Sequence, residues 1–508
     1  MKAKKPVFKP YHQHQLMVFP PTFEEMIPKD HPVRVVSDIV DQLDLDALII
    51  KYKGGGCSSY HPRMLLKVLI YGYLVNIFSS RKLEAAIQEN IYLMWLSGME
   101  KPDHNTINRF RSERLRGVIK KVYAQVVLLM VESGHVDLQK VYTDGTKIEA
   151  NANRYTFVWG KSIANNKKRI AGQLNKFWQY TQKIARHEMK DTTPTTFNPT
   201  SAEQVKETID TINQHLKEKD VDPIIKKKLS YAKKHWPQKM KEYEEMEAVL
   251  GERNSFSKTD PDATFMRMKE DRLQNGELKP AYNTQISTNN QIITNYSIHQ
   301  SPGDFKTLQP HLESFKEAYG FMPNEVIADA GYGSEQNYDY LQQNNIEGFV
   351  KYAYFDKELN KSDNRGPFHV ENLFYNQEQN CYYCPMGQPM PFVELKEEKT
   401  EAGYERKVSY YQALNCEGCP LRGACNKATG NRSVQVSHQG RELYKKAKER
   451  LLSEQGQYHR RKRPVDVEPV FGMIKHNRGF RKFNLRGLDK VHIEFGLIAI
   501  AHNLKKIA

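Results

Sequence analysis

The sequence predicts an α/β protein. A mixed sheet is carried by the middle of the chain, preceded by a helical block and interrupted by a helical and a cysteine-rich insertion. Three observations lead there. Apolar residues recur at helical spacing before residue 135. Short alternating or β-rich runs recur between 138 and 352. Five of the six cysteines crowd between 381 and 425 of the 508 residues.

Taken in order, residues 1–30 are rich in Pro and His and read as extended. Leu65, Leu66, Leu69, Ile70 and Tyr73 mark a helix that should run to Ser79-Ser80, with another over 81–90. Pro102-Asp103-His104 stops the chain sharply, and Asp103 is placed to cap a helix over 105–115. In that helix Ile107 and Phe110 face inward, while Asn108, Arg109 and Arg111 are free to meet a polyanion. Short helices ending in a basic one suit a helix-turn-helix-like DNA-binding unit; a plain bundle with a solvated face has the same pattern. Residues 117–133 form another amphipathic helix. Alternation over 138–150 reads as a strand.

From about 157 to 252 the chain is helical and highly charged, with a Thr/Pro break at 191–200 and a capping pattern at Ser201. It reads as a helical insertion, in the manner of a hairpin. Strands follow at 263–268, 281–288 and 291–299, then a helix at 304–319, a strand at 326–329, a helix at 334–344 and a strand at 348–352. That order is the order of an RNase H-like mixed sheet. The domains expected are therefore 1–135, N-terminal helical; 136–160 and 259–352, the two parts of the core; 161–258, the helical insertion; 353–440, the cysteine-rich insertion; and 441–508, the C-terminal helical part of the core.

The formal charge is +16 and the pI about 9.2, which suggests a polyanionic partner. Apolar runs at 122–131 and 65–78 are interrupted and shorter than the roughly 20 residues a bilayer-spanning helix needs. A soluble, cytoplasmic, nucleoid-associated protein without a membrane partner is expected. In such a compartment the cysteines are reduced.

Asp144 and Asp329 each end a β-type run, and Glu468 opens a helical one after the basic cluster at 459–463. Phosphodiester cleavage needs an activated water and a stabilised leaving oxygen, which two divalent ions about 3.5–4 Å apart supply. Three carboxylates suffice for Mg²⁺, which keeps several waters. Asp144, Asp329 and Glu468 are thus the candidate catalytic residues and ligands of two Mg²⁺, or Mn²⁺, ions. Singly, each has a plain reading: a turn, a loop and a helix-terminal acid. Pro469 places Glu468 in a first helical turn, with Asp466 as N-cap. Lys475 then lies two turns on along the same face. Lys475, Arg460, Arg461, Arg463 and Arg478 are candidate phosphate contacts, and Tyr332, in the tight Ala-Gly-Tyr-Gly turn after Asp329, would sit beside a bound strand.

These motifs resemble the DDE transposases of bacterial insertion sequences, and more narrowly the family named after insertion sequence 1182 in the insertion sequence 4 group. The resemblance rests on His31-Pro-Val, Tyr60-His-Pro-Arg, Pro102-Asp-His-Asn-Thr-Ile, Thr143-Asp-Gly-Thr-Lys, Ala328-Asp-Ala-Gly-Tyr-Gly and Val467-Glu-Pro-Val-Phe-Gly-Met-Ile-Lys. It implies a metal-binding triad of Asp144, Asp329 and Glu468, and cut-and-paste transposition. The partners would be double-stranded DNA, namely the terminal inverted repeats and the target, bound by a homodimer. In the family's Tyr-Arg-Glu-Lys signature Lys475 fits; the arginine place holds Pro464 and the tyrosine place Arg461, with Arg463 or Tyr458 as substitutes. Two other readings share these residues: a non-transposing RNase H-like DNA nuclease, and a DNA-binding protein with an idle centre. The intact acidic trio disfavours the second. The N-terminal block and the long insertion disfavour the first.

Cys381-x-x-Cys384 and Cys416-x-x-Cys419, with Cys425 following, have the spacing of a structural Zn²⁺ site in a β-rich ribbon. Free thiols or a redox pair are the other reading. Cys57 stands apart and is expected to be structural.

Overall fold

The computed structural model describes residues 22–52, 58–185, 196–198, 200–268, 276–360 and 365–508. The expectations for residues 1–21, for Cys57 and for most of the 191–200 break lie outside the described residues. The chain divides into two compact units, residues 1–118 with 500–508, and residues 119–499.

The first unit is helical: Pro32–Gln42, Pro62–Leu74, Ser80–Glu89, Ile91–Ser97 and His104–Arg109. The two His-Pro pairs explain two of its helix starts. In each, proline occupies the first turn, where its missing N–H costs nothing. The imidazole before it accepts from the backbone two residues on, His31 from Val33 and His61 from Arg63, both at 3.2 Å. The helix expected to reach Ser79-Ser80 ends at Leu74, because Asn76 takes a left-handed conformation with φ 65°. Asp103 does cap the last helix, accepting from Thr106 at 2.8 Å.

That helix continues into one wide turn over Phe110–Arg114, which carries Arg111 inward. Arg111 is buried and donates to the Tyr73 hydroxyl at 3.0 Å and the Phe78 carbonyl at 2.7 Å. A second guanidinium nitrogen reaches the Asn108 side chain at 3.3 Å. The expectation of a free Arg111 is therefore corrected. It stands four residues after Ile107, hence on the apolar face. Asn108 and Arg109 remain exposed.

The second unit is built on thirteen strands: β1 Lys140–Glu149, β2 Phe157–Trp159, β3 Ser255–Ser257, β4 Thr264–Arg267, β5 Leu278–Asn289, β6 Ile292–His299, β7 Glu325–Ala328, β8 Glu347–Val350, β9 Phe374–Asn376, β10 Cys381–Tyr383, β11 Pro389–Lys399, β12 Glu405–Gln412 and β13 Ser433–Val436. The main sheet runs β4-β5-β1-β7-β8, with β6 also paired to β5. β1 is antiparallel to β5 and parallel to β7, and β7 is parallel to β8. The expected mixed α/β sheet is present.

Its two faces are covered differently. Along β1, alternate side chains point to opposite faces. Tyr142 meets His459 of the Glu454–Gly472 helix at 3.0 Å, while Thr143 meets Ser287, whose hydroxyl contacts His311 of the Leu308–Tyr319 helix. The Ile119–Glu132 helix lies in this second unit; Tyr123 donates to the Ile293 carbonyl at 2.6 Å.

The insertion after β2 is three helices, Gly160–Ile184, Ala202–His215 and Pro223–Leu250, rather than a hairpin. A third apolar stripe explains the difference. Leu174 and Trp178 of the first, Val205, Ile209 and Ile212 of the second, and Leu229, Ala232 and Met240 of the third close one core. The cysteine-rich insertion forms a separate antiparallel sheet in the order β13-β12-β11-β10-β9 around Tyr382, Met390 and Tyr411.

Candidate active site

Register brings the two aspartates together. β1 and β7 pair in parallel at Lys140 with Glu325, Val141 with Val326 and Tyr142 with Ile327. The same offset, continued two residues, brings Asp144 level with Asp329 just after β7 ends. Both then share the face of Tyr142, the face covered by the Glu454–Gly472 helix.

From that helix Arg463 reaches both carboxylates. One guanidinium nitrogen lies 3.0 Å from Asp144 and 3.6 Å from Asp329. Laid end to end those lengths are about 6.6 Å, so the two carboxylate oxygens are no farther apart than that. Asp144 is nearly buried, and its other oxygen accepts from the Gly145 N–H at 2.7 Å. Asp329 caps the short turn Ala330–Tyr332 by accepting from Gly331 at 2.9 Å.

Around the pair is a polar shell that the sequence did not reveal. Tyr332 is fully buried and donates to the Gln285 side-chain carbonyl. It does not lie open beside a strand, which corrects that expectation. Burial holds its phenol well above the ordinary range, and the carboxylates of Asp304, Asp144 and Asp329 push the same way, against Arg463. Gln285 in turn donates to Asp304 at 3.1 Å, as does Asn283 at 2.8 Å. Asp304 is thus a third acid beside the pair. Its only sequence signal was Pro-Gly-Asp before a helix. Gly145 is required by this packing, since a Cβ there would stand 2.2 Å from the Gln285 amide nitrogen.

Glu468 is placed differently from expectation. The helix begins at Glu454, capped by Ser453, and contains both Pro464 and Pro469. Glu468 is exposed and in the C-terminal third of the helix, not its first turn. Asp466 is not a cap. It is buried and accepts from Thr288 at 2.8 Å and from the backbone of Asn290 and Gln291 at 3.0 and 3.1 Å. Those two residues have positive φ, so Asp466 secures the turn between β5 and β6. The helix therefore tolerates its prolines because His459, before them, and Asp466, between them, anchor it to the sheet. Among the described residues no three His, Cys, Asp or Glu side chains are grouped as a metal site. The two aspartates are brought together; Glu468 stands on the helix that supplies Arg463, without a contact to them.

Of the basic candidates, Arg461 is exposed and Arg460 half-buried over the Phe355 ring at 5.2 Å. Lys475 and Arg478 are buried, in and just after a wide turn over Met473–Asn477. Burial lowers the Arg478 guanidinium to about 10. These two are corrected from surface contacts to interior groups. The segment after them pairs with the end of β1, with Phe483 donating to the Glu149 carbonyl at 2.9 Å.

Four of the five cysteines, Cys384, Cys416, Cys419 and Cys425, line one small cavity. Three of their sulfurs accept hydrogen bonds: Cys384 from the Gln388 N–H and Cys416 from the Arg432 N–H, both at 3.3 Å, and Cys425 from the Arg432 guanidinium at 2.8 Å. Cys381 is buried elsewhere on β10, donating to the Tyr382 carbonyl at 3.2 Å. All five are free thiols.

Comparison with known proteins adds two matches. Residues 383–508 match the family described as Transposase DDE domain, and residues 21–113 match the Transposase domain (DUF772). The first segment holds Glu468 and Lys475, the second Asn108, Arg109 and Arg111; Asp144 and Asp329 lie between them. No curated protein and no solved structure matches the chain. Both matches support a transposase. Among the described residues no helix is long and apolar enough to cross a membrane.

Proposed function

We propose that this protein is a DDE transposase of the insertion sequence 1182 type. It would bind the terminal inverted repeats of a mobile element as a homodimer, cleave the DNA strands at its ends and join them to target DNA. The observation that carries the reading is the Asp144–Arg463–Asp329 cluster, a carboxylate on β1 and another just after the parallel β7, both reached by one guanidinium. The strand order, with β1 central, antiparallel to one neighbour and parallel to the other, supports an RNase H-like core.

Two adjacent carboxylates fit a divalent cation, since a positive group, the Arg463 guanidinium, already reaches both. Its Nε is buried without a hydrogen-bond partner, so that the arginine is incompletely satisfied where it lies. Asp144, Asp329 and Glu468 would hold Mg²⁺, which would supply water activation and leaving-oxygen stabilisation. Asp144 is fixed by the Gly145 N–H, and Asp329 by its own turn, so both are positioned before any substrate arrives. Arg463, displaced from the carboxylates by the metal, would meet a phosphate oxygen. Arg461 on the same helix and Arg109 in the N-terminal unit would contact phosphates without reading sequence.

A structural Zn²⁺ is also part of this reading. Cys384, Cys416, Cys419 and Cys425 would be its ligands: the four line one cavity, with N–H donors on three sulfurs, although they are not drawn together as a metal site in the arrangement described.

The deciding experiment is Mg²⁺-dependent nicking of DNA carrying the element ends. Asp144→Asn and Glu468→Gln should abolish nicking and leave binding intact. Nicking by either variant at the wild-type rate would reject the site.

A further inference from the structure

A concavity lies in the helical insertion, away from the acids. It has a volume of about 850 Å³ and is formed between the Gly160–Ile184 and Pro223–Leu250 helices. Its charged lining is of one sign: Arg169, Lys176, Lys227, Lys228 and Lys239, with no Asp or Glu. All five are exposed, and none forms an ion pair with a described residue. Two other lysines of these helices are paired, Lys167 with Glu247 and Lys233 with Asp210. The groove thus gathers five exposed cations with no acid in its lining.

Its floor is aromatic. Phe177 and Trp236 stack with ring centroids 5.9 Å apart and planes 20° apart. Packing the insertion core accounts for Trp236, which is buried. It does not account for Tyr231, which lines the same groove and is 52% exposed. Aromatic faces among cations suit unpaired bases joined by phosphates: each base has a face to stack, and each phosphate a lysine to meet. A duplex, whose bases are already stacked on one another, has no use for the aromatic floor.

The geometry points to a binding site for single-stranded DNA in this groove, with Tyr231 as stacking platform and the five cations as phosphate contacts. This deepens the transposase reading: the insertion would hold the strand that becomes unpaired at a cleaved end.

The test uses the full-length protein and a fluorescein-labelled thymidine 20-mer, read by anisotropy over a salt series. Tyr231→Ala should weaken binding about 5- to 100-fold, the range for losing one stacked base. Lys227→Ala/Lys228→Ala/Lys239→Ala should weaken it at least 10-fold and lower the salt slope by about 2, from roughly 0.7 per phosphate contact. A bromodeoxyuridine 20-mer should photocrosslink to the peptide containing Tyr231. Wild-type affinity in both variants, crosslinks only outside the insertion, or an equal loss of duplex binding would each overturn the proposal. Circular dichroism matching wild type shows that the variants fold. Asp144→Asn should keep full single-strand affinity, so failure of the groove and failure of the active site give different results.

Discussion

Arg463 meets Asp144 at 3.0 Å from a position five residues before Glu468 on the same helix. The arginine and the proposed third acid therefore move as one body. Any shift of the helix that withdraws the guanidinium also repositions Glu468. Arg463→Ala should destabilise the protein by about 3 kcal/mol without divalent ions, the low end for breaking a buried ion pair, because it removes the guanidinium that both carboxylates share. Added Mg²⁺ should then raise the melting temperature of the variant more than that of wild type. Equal shifts in thermal melts would show that the metal does not go to this pair.

Gly145→Ala should disturb the acids without removing one. The new Cβ displaces the Gln285 amide, and with it the bonds to Asp304 and Tyr332. A loss of about 1–3 kcal/mol is expected, as for overpacking, together with lost strand cleavage. Urea denaturation reads the first and a nicking assay the second; wild-type values in both would contradict the packing.

Arg111 and Arg109 should separate cleanly. Arg111→Ala removes the guanidinium bonds to the Tyr73 hydroxyl and Phe78 carbonyl and should cost about 1.5–3 kcal/mol. Arg109→Ala should change stability by less than about 0.5 kcal/mol and lower end-DNA affinity and its salt dependence. If Arg109→Ala binds as wild type across a salt titration, the N-terminal unit does not use it for phosphate.

Acid should weaken the second unit. Burial lowers the imidazole of His299 to about 4 and that of His311 well below its ordinary value. Both are neutral in the folded state at pH 7, and the unfolded chain takes up their protons first as pH falls below about 6.5. Their stability contribution is present above that value and is lost as pH falls towards 4. Denaturation midpoints should drop between pH 7 and pH 5, and less so in His299→Gln. Identical pH profiles would rule out His299 as a source.

Zinc content should follow the cavity. Cys416→Ser should lower bound Zn²⁺ and thermal stability, and Cys381→Ser should leave the metal in place. Equal loss from both would put Cys381 among the ligands; a wild-type protein without Zn²⁺ would discard the site.

Much of the strand order was legible because β1, β5 and β6 carry long β-rich runs and β7 a short apolar one. Asp329 directly follows the β7 run, but Asp144 lies inside β1 rather than at the strand end its sequence suggests, and the adjacency of the two is a matter of register, which depends on pairing between distant strands. Sequence alone puts Glu468 in a first helical turn because Pro469 reads as a local helix start, whereas the helix begins at Glu454. The anchoring of His459 to Tyr142 and Asp466 to the β5–β6 turn, both tertiary, outweighs the lost backbone bonds. Asp304, Gln285 and Asn283 were invisible because polar residues in strands and turns read as surface until their partners are known. Lys475 and Arg478 misled for the converse reason: a basic residue is assumed solvated, and their wide turn draws them inside.

The β1 strand and the helix bearing Arg463 are separated by some three hundred residues, including two insertions with cores of their own. During synthesis the sheet and both insertions emerge from the ribosome well before the helix that completes the centre. A nascent chain would therefore carry the Asp144–Asp329 pair without the Arg463 guanidinium until that helix docks, so that completion of the acidic centre waits on a segment made some three hundred residues later.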